Sequence, residues 1–357
     1  MDCLPKEIIN RMVWLLDRYP NQQSVPNIEQ SGIGPSALPP YAAISKQWKE
    51  AVEFVTFHRL SIWSGDLSQL QAIVTNNRCK YLRKLGYTIV LPKYSKERGK
   101  SVETKEEQQC SNGTFTQRII DLFSVLSQRE EAGLLTELRL KIEDPKCSSD
   151  GYMFKRRWGS TYLKLSRYDR IPTISNISYL QIQSNFKRRT SPAIVPGLAA
   201  FLPGLKHIFA EFYEGQWYEV SREAVPAVNR TRLAFAELLE QRTLTHISVA
   251  KFDCHQERQL DQRIPSPSIL PPGTFYDPFS VSLRVFSQNL TTFVLSGYID
   301  STLFWPSSHE TSSPSWPSVK RLKICFNAAA PSGDWYFIVT PQKRIKNNSS
   351  SMVIQQL

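Results

Sequence analysis

The stretch ISNISYLQI (174–182) decides the fold. Its apolar residues Ile177, Leu180 and Ile182 are separated first by two residues and then by one. On a short strand alternate side chains share a face, so a triplet of this kind feeds one side of a sheet. The same spacing recurs in Phe57-Leu60-Ile62, Leu82-Leu85-Tyr87, Leu135-Leu138-Leu140, Leu205-Ile208-Ala210, Leu244-Ile247-Val249, Leu290-Phe293-Leu295 and Val319-Leu322-Ile324.

That spacing is the strand half of a leucine-rich repeat. Successive triplets begin 25 to 53 residues apart. Regular repeats run ~20 to 29 residues, so irregular repeats with insertions are expected. Helices belong between parallel strands. DLSQLQAIV (66–74), TFTQRIIDLFSVLSQ (114–128) and RTRLAFAELLEQ (230–241) have the required apolar spacing, with Asp66 and Thr114 as candidate N-caps. KYSKERGKSVETKEEQQCSNG (93–113) and CHQERQLDQRIPSPSILPPGTFYDP (254–278) read as loops that account for the longest steps. At 357 residues the chain exceeds the ~250 at which single cores split, which leaves two domains or an elongated repeat.

Ahead of the triplets, LPKEIINRMVWLL (4–16) reads as a helix with Pro5 in its first turn and Glu7 complementing the dipole. Ile8, Ile9, Met12, Val13, Leu15 and Leu16 spread over an arc of about 160°, wider than the ~100° stripe that one core contact needs. Part of the arc is therefore expected to face a partner. Trp14 falls on the opposite side with Glu7, Asn10, Arg11 and Arg18. Residues 19–40 hold Pro20, Pro26, Pro35, Pro39 and Pro40, a composition hostile to helix and sheet, and read as a loop. A second amphipathic helix is expected from Tyr41 through Ile44, Trp48, Ala51, Val52 and Val55.

The expected class is thus α/β: a helical module over 1–58 with a Pro-rich insertion at 19–40, an irregular leucine-rich-repeat-like α/β solenoid over 59–339, and a polar tail over 340–357. The tail offers no capping helix, so the array after Trp335-Tyr336-Phe337 is expected to be truncated or to be covered by the tail itself.

No apolar run approaches the ~20 residues of a membrane span, and Asp2 and Glu7 stand where a signal peptide would be basic; a cytoplasmic or nuclear location and no membrane partner are expected. The six cysteines form no C-x-x-C pair and read as reduced, mostly buried thiols. The five histidines include no H-E-x-x-H, and neither a metal nor any other cofactor is expected. Phosphate-cradling and nucleophile-elbow glycine motifs are missing, which removes the ATP, NAD and serine-hydrolase classes. Asp253-Cys254-His255 gathers catalytic residue types, yet adjacent side chains on a strand point apart, so no catalytic residue is assigned.

The net charge of +12 suits an acidic partner or nucleic acid. It collects in short segments at 93–100, 154–158 and 186–190, separated by apolar stretches, so solvated loops or an import signal are favoured over a nucleic-acid groove. YMFKRRWGSTYLKLSRYDR (152–170) interleaves aromatics and cations and reads as a strand pair with a basic edge, with base stacking as the alternative.

Leu4-Pro5-x-Glu7-Ile8, followed later by Ile44-Ser45-Lys46-x-Trp48, resembles the two halves of an F-box. An F-box ahead of irregular leucine-rich-like strands, ending near PSGDWYF (331–337), is similar to a large group of filamentous-fungal F-box proteins. The resemblance covers about the first 60 residues by motif. It implies a non-catalytic, substrate-recruiting subunit of a cullin-RING (SCF-type) ubiquitin ligase, which binds a Skp-family adaptor and through it the cullin. Leu4, Pro5, Ile8, Ile9, Met12, Ile44 and Trp48 would be the adaptor-binding residues. The insertion at 19–40 departs from the short link that usually joins the two halves. The repeat region would hold a protein substrate, acidic or phosphorylated, with Arg156, Arg157, Arg188 and Arg189 as candidate contacts. The rival expectation is a nucleic-acid-binding or scaffold solenoid whose helical module serves only as an N-terminal cap.

Overall fold

Eight strands hydrogen-bond in sequence order into one all-parallel sheet. They are β1 (Arg59–Trp63), β2 (Lys84–Val90), β3 (Leu138–Lys146), β4 (Ile177–Ile182), β5 (His207–Gln216), β6 (Val249–Glu257), β7 (Thr292–Gly297) and β8 (Arg321–Phe326). The structure is a computed structural model that describes residues 4–18, 38–99, 101–135, 137–146, 158, 161–184, 188–216, 224–257, 266–306 and 315–336. Most of the 19–40 insertion and the 340–357 tail therefore lie outside the described residues.

Register explains why the triplets matter. Leu60, Leu85, Leu140, Leu180, Ile208, Ala250, Phe293 and Leu322 are successive cross-strand partners. Two residues on, Ile62, Tyr87, Ile142, Ile182, Ala210, Phe252, Leu295 and Ile324 form a second row. Two of the expected triplets are out of frame. On β6 the buried residues are Ala250 and Phe252, whereas Val249 faces the other side; Ile247, Ala250 and Phe252 share the same spacing, and the apolar criterion did not separate the two frames. On β3 the rows use Leu140 and Ile142, and the pairing slips by one residue between Leu138 and Arg139.

Helices α1 (Lys6–Arg18) and α2 (Lys46–His58) precede the sheet. Between strands run α3 (Leu67–Ile73), α4 (Asn76–Cys79), α5 (Lys96–Gly99), α6 (Lys105–Glu131), α7 (Ile194–Ala199), α8 (Ala224–Gln241) and α9 (Pro278–Ser287). Their apolar residues close over the inner rows: Phe115, Ile119, Leu122 and Phe123 of α6, Leu198 of α7, Phe235 of α8, and Phe279 and Leu283 of α9 join one cluster with the strands. Each such side chain contributes about 1.5–3 kcal/mol by leaving water. Phe252 sits amid Phe212, Phe235, Phe286 and Phe293, with ring centroids 5.9–6.4 Å away.

Three expectations about helix ends change. Thr114 lies inside α6; the cap is Thr104, whose hydroxyl accepts from Glu107 N while the Glu107 carboxylate accepts from Thr104 N. This T-x-x-E capping box starts a helix within the segment expected to be a loop. Asp66 does hold the N-cap position of α3, but its carboxylate accepts from Trp63 N instead. The α2 helix begins at Lys46 rather than near Tyr41, because Pro39–Ala43 form a 3-10 turn and Ser45 caps the helix through Trp48 N.

A buried ion cluster ties three crossovers together. Arg232 of α8 donates to Glu214, to Asp277 and, at 2.8 Å, to the Tyr298 carbonyl. Asp277 also caps α9, accepting from Phe279 N and Ser280 N. Burial pulls the Arg232 guanidinium toward a lower value, and Asp277 and Glu214 more than offset it, so the group titrates above its ordinary value.

Candidate functional site

The helical pair sorts the apolar arc of α1 into two stripes. Ile9 and Val13 are buried with Leu38, Trp48, Ala51 and Val52, and Leu16 packs against them. Ile8, Met12 and Leu15, at steps of four and three residues, stay on the surface. The contrast is sharp between neighbours: Ile8 is 47% exposed and Ile9 1%. Leu4, Pro5 and Ile44 are exposed as well. Of the residues expected to bind an adaptor, Ile9 and Trp48 therefore hold the module together, while Leu4, Pro5, Ile8, Met12 and Ile44 are available to another molecule. Tyr41 stacks on Trp48 with centroids 6.0 Å apart, and Lys6 Nζ reaches Glu50 at 3.4 Å, joining α1 to α2. Trp14 is exposed on the side away from the stripe. The α2 helix ends at His58 and β1 starts at Arg59, so the helical pair leads directly into the sheet.

Of the four arginines assigned to substrate, the two that the structure describes lie in the interior. Arg156 and Arg157 fall outside the described residues. Arg188 and Arg189 are buried, and Arg188 is already paired with Glu103 at 2.9 Å and donates to Thr161 Oγ1 at 3.0 Å. Its guanidinium also lies 5.5 Å from the Trp158 ring centre, and that of Arg189 lies 5.7 Å from Tyr162. These cations serve the interior. A run of Arg beside apolar residues reads as a surface patch in sequence, and only the distant Glu103 reveals otherwise.

On β6, Cys254 is buried and Asp253 faces the other way, so the Asp-Cys-His run assembles no dyad from this pair. Burial, with Glu214 adding to it, pushes the Cys254 thiol well above its ordinary value, the opposite of an activated nucleophile. Among the described residues no group of His, Cys, Asp and Glu is arranged to hold a metal ion, and no helix is long and apolar enough to cross a membrane.

The second face of the sheet was not singled out by sequence. Its residues alternate with the buried rows; most are exposed or half-buried, while Gly86 and Thr88 of β2 are buried. One row reads Arg59, Lys84, Arg139, Tyr179, His207, Val249, Thr292, Arg321. The next reads Ser61, Gly86, Lys141, Gln181, Phe209, Lys251, Val294, Lys323. Acids gather in a third, where Thr88 partners Glu143 and Glu211 partners Asp253. The Arg139 guanidinium lies 5.7 Å from the Tyr179 ring centre, and Lys251 Nζ 4.5 Å from that of Phe209. Around Gly86 this face holds an open depression of about 220 Å³, bordered by Arg59, Ser61, Lys84, Arg139, Lys141 and Tyr179. The signal for it in sequence was the set of residues between the apolar triplet positions, which become neighbours only once the register is known.

No protein-family model, curated protein or solved structure matches this chain.

Proposed function

We propose that this chain is the substrate-recruiting F-box subunit of a cullin-RING, SCF-type ubiquitin ligase. In this reading α1 and α2 dock a Skp-family adaptor, which links them to the cullin, and the parallel sheet carries a protein substrate. The chain then needs no catalytic residue of its own.

The observation that carries the reading is the outer stripe of α1. Ile8, Met12 and Leu15 are exposed although the same helix buries Ile9 and Val13 in a complete core of its own. A helix acting only as a cap gains nothing from the outer stripe, whereas burial against a partner would recover about 1.5–3 kcal/mol per fully covered side chain. Leu4, Pro5 and Ile44, also exposed, belong to the same pair of F-box-like half-motifs. The sequential order of parallel strands supports a repeat array, in which each unit stacks on its neighbours and presents a broad face.

A second reading, a nucleic-acid-binding repeat protein, draws on the cation and aromatic pairs Arg139–Tyr179 and Lys251–Phe209 of the open face. The acids Glu143, Glu211 and Asp253 on that same face count against it. Co-expression with a Skp-family adaptor separates the two. Co-purification that is lost in a Pro5→Ala, Ile8→Ala double variant supports the ligase subunit; salt-sensitive binding to RNA or DNA without adaptor capture supports the second reading.

A further inference from the structure

Arg59, Lys84 and Arg139 are register partners across the first three strands. Neighbouring strands lie about 4.8 Å apart, and like charges set directly across a ladder destabilise it. All three side chains are exposed, and none is in an ion pair within 4.0 Å among the described residues. A sheet shaped by stability alone would interleave acids here.

The positive field is felt by the groups around the row. The His58 imidazole is held below its ordinary value by burial and then by Lys84 and Arg83. The Glu137 carboxyl is held below its ordinary value by a Ser178 hydrogen bond and then by Lys206, Arg139 and Arg83.

The row borders the depression, whose floor at Gly86 is already closed over by the Ser61 hydroxyl and the Glu143 carboxylate. A Cβ on Gly86 would stand 2.9 Å from Ser61 Oγ and 3.1 Å from Glu143 Oε1. Glu143 is the carboxylate lining the depression, and it is already engaged: Lys141 Nζ lies 3.3 Å away and Thr88 Oγ1 donates to it at 2.8 Å. Three cations remain in excess.

We propose that the Gly86 depression is an anion site that receives the phosphoryl group of a phosphorylated protein segment, with Arg59, Lys84 and Arg139 supplying the charge. The protein origin of the segment rests on the receptor reading above; the anion site does not. A phosphomonoester carries about −1.5 to −2 charge and three acceptor oxygens, which two guanidinium forks and an ammonium satisfy better than one carboxylate would use them. Farther along the same row, Tyr179 and His207, with ring centroids 6.3 Å apart, offer flat surface to flanking side chains. A nucleic acid crossing the same face would carry its charge toward Glu211 and Asp253, which a single phosphoryl group near β1–β3 does not meet.

Thermal unfolding of the full chain in inorganic phosphate and in chloride of equal ionic strength tests the site, together with anisotropy of a short peptide carrying one phosphoserine. Phosphate is expected to raise the melting temperature of the wild type. An Arg59→Gln, Arg139→Gln double variant, relieved of its like charges, is expected to melt higher in chloride and to lose most of the phosphate increment. The phosphopeptide is expected to bind about tenfold or more tightly than its unphosphorylated form, with the preference lost in the variant. Lys84→Gln alone provides the same reading should the double variant fail to fold. An equal phosphate response in wild type and variants overturns the site, as does tighter binding of a single-stranded oligonucleotide than of the phosphopeptide at matched salt. Adaptor capture by the wild type is read in parallel: its loss with phosphate protection intact removes the receptor reading and leaves the anion site standing.

Discussion

Arg188 and Glu103 meet at 2.9 Å with both side chains buried, joining the residue before the N-cap of α6 to the segment that follows β4. Glu103 Oε1 also accepts from Ser111 Oγ at 3.4 Å. A buried pair of this kind is expensive to halve, because the survivor is left charged and dry. Arg188→Ala is expected to destabilise the chain by about 3–5 kcal/mol in denaturant unfolding. Replacing both partners by Met should restore much of the loss. A cost below about 1 kcal/mol for Arg188→Ala would mean the residue behaves as a surface cation.

Phe252 is the meeting point of four other phenylalanine rings and is itself buried. Phe252→Ala removes a ring that α8 and α9 both pack against and leaves a cavity among the surrounding aromatics. The expected loss is about 3–5 kcal/mol, against less than about 1.5 for Phe252→Leu if its neighbours repack. Chemical denaturation of the two variants under one condition checks the ratio.

His58, the last residue of α2, titrates below its ordinary value of 6.5 through burial, Lys84 and Arg83. The folded state then binds fewer protons than the unfolded one below that value, so the stability His58 contributes is complete above about pH 6.5 and is lost as pH falls through the folded value. His58→Gln should flatten the stability profile on the acid side. An imidazole NMR titration with its midpoint above 6.5 would reverse the sign of the effect.

The strands were legible because their signal is local. Ile177, Leu180 and Ile182 declare a buried face within six residues, and the crossover helices α3 and α8 follow from short-range periodicity. The frame of β6 was not legible, because Ile247-x-x-Ala250-x-Phe252 and Leu244-x-x-Ile247-x-Val249 satisfy one pattern and only pairing with β5 selects between them. The N-terminal half of α6 was missed because its polar composition hides a helix that the Thr104–Glu107 capping box starts. For the candidate surfaces the difficulty is distance. The width of the arc on α1 signalled an outward stripe, but its division between Ile8 and Ile9 depends on where Trp48 packs. The interior fate of Arg188 depends on Glu103, 85 residues away. The cationic row needs three strands in register before Arg59, Lys84 and Arg139 become neighbours.

The central claim is that the outer stripe of α1 is an adaptor-binding surface. Titration of the purified chain with a Skp-family adaptor, comparing wild type with an Ile8→Asp, Met12→Asp double variant and with Trp14→Ser on the opposite side, tests it most directly. The account predicts a stable wild-type complex, a loss of about 30-fold or more in affinity for the stripe variant, as expected when central apolar anchors are removed, and near wild-type binding for Trp14→Ser. Failure of the wild-type chain to bind the adaptor, or equal affinities for wild type and the stripe variant, would contradict it.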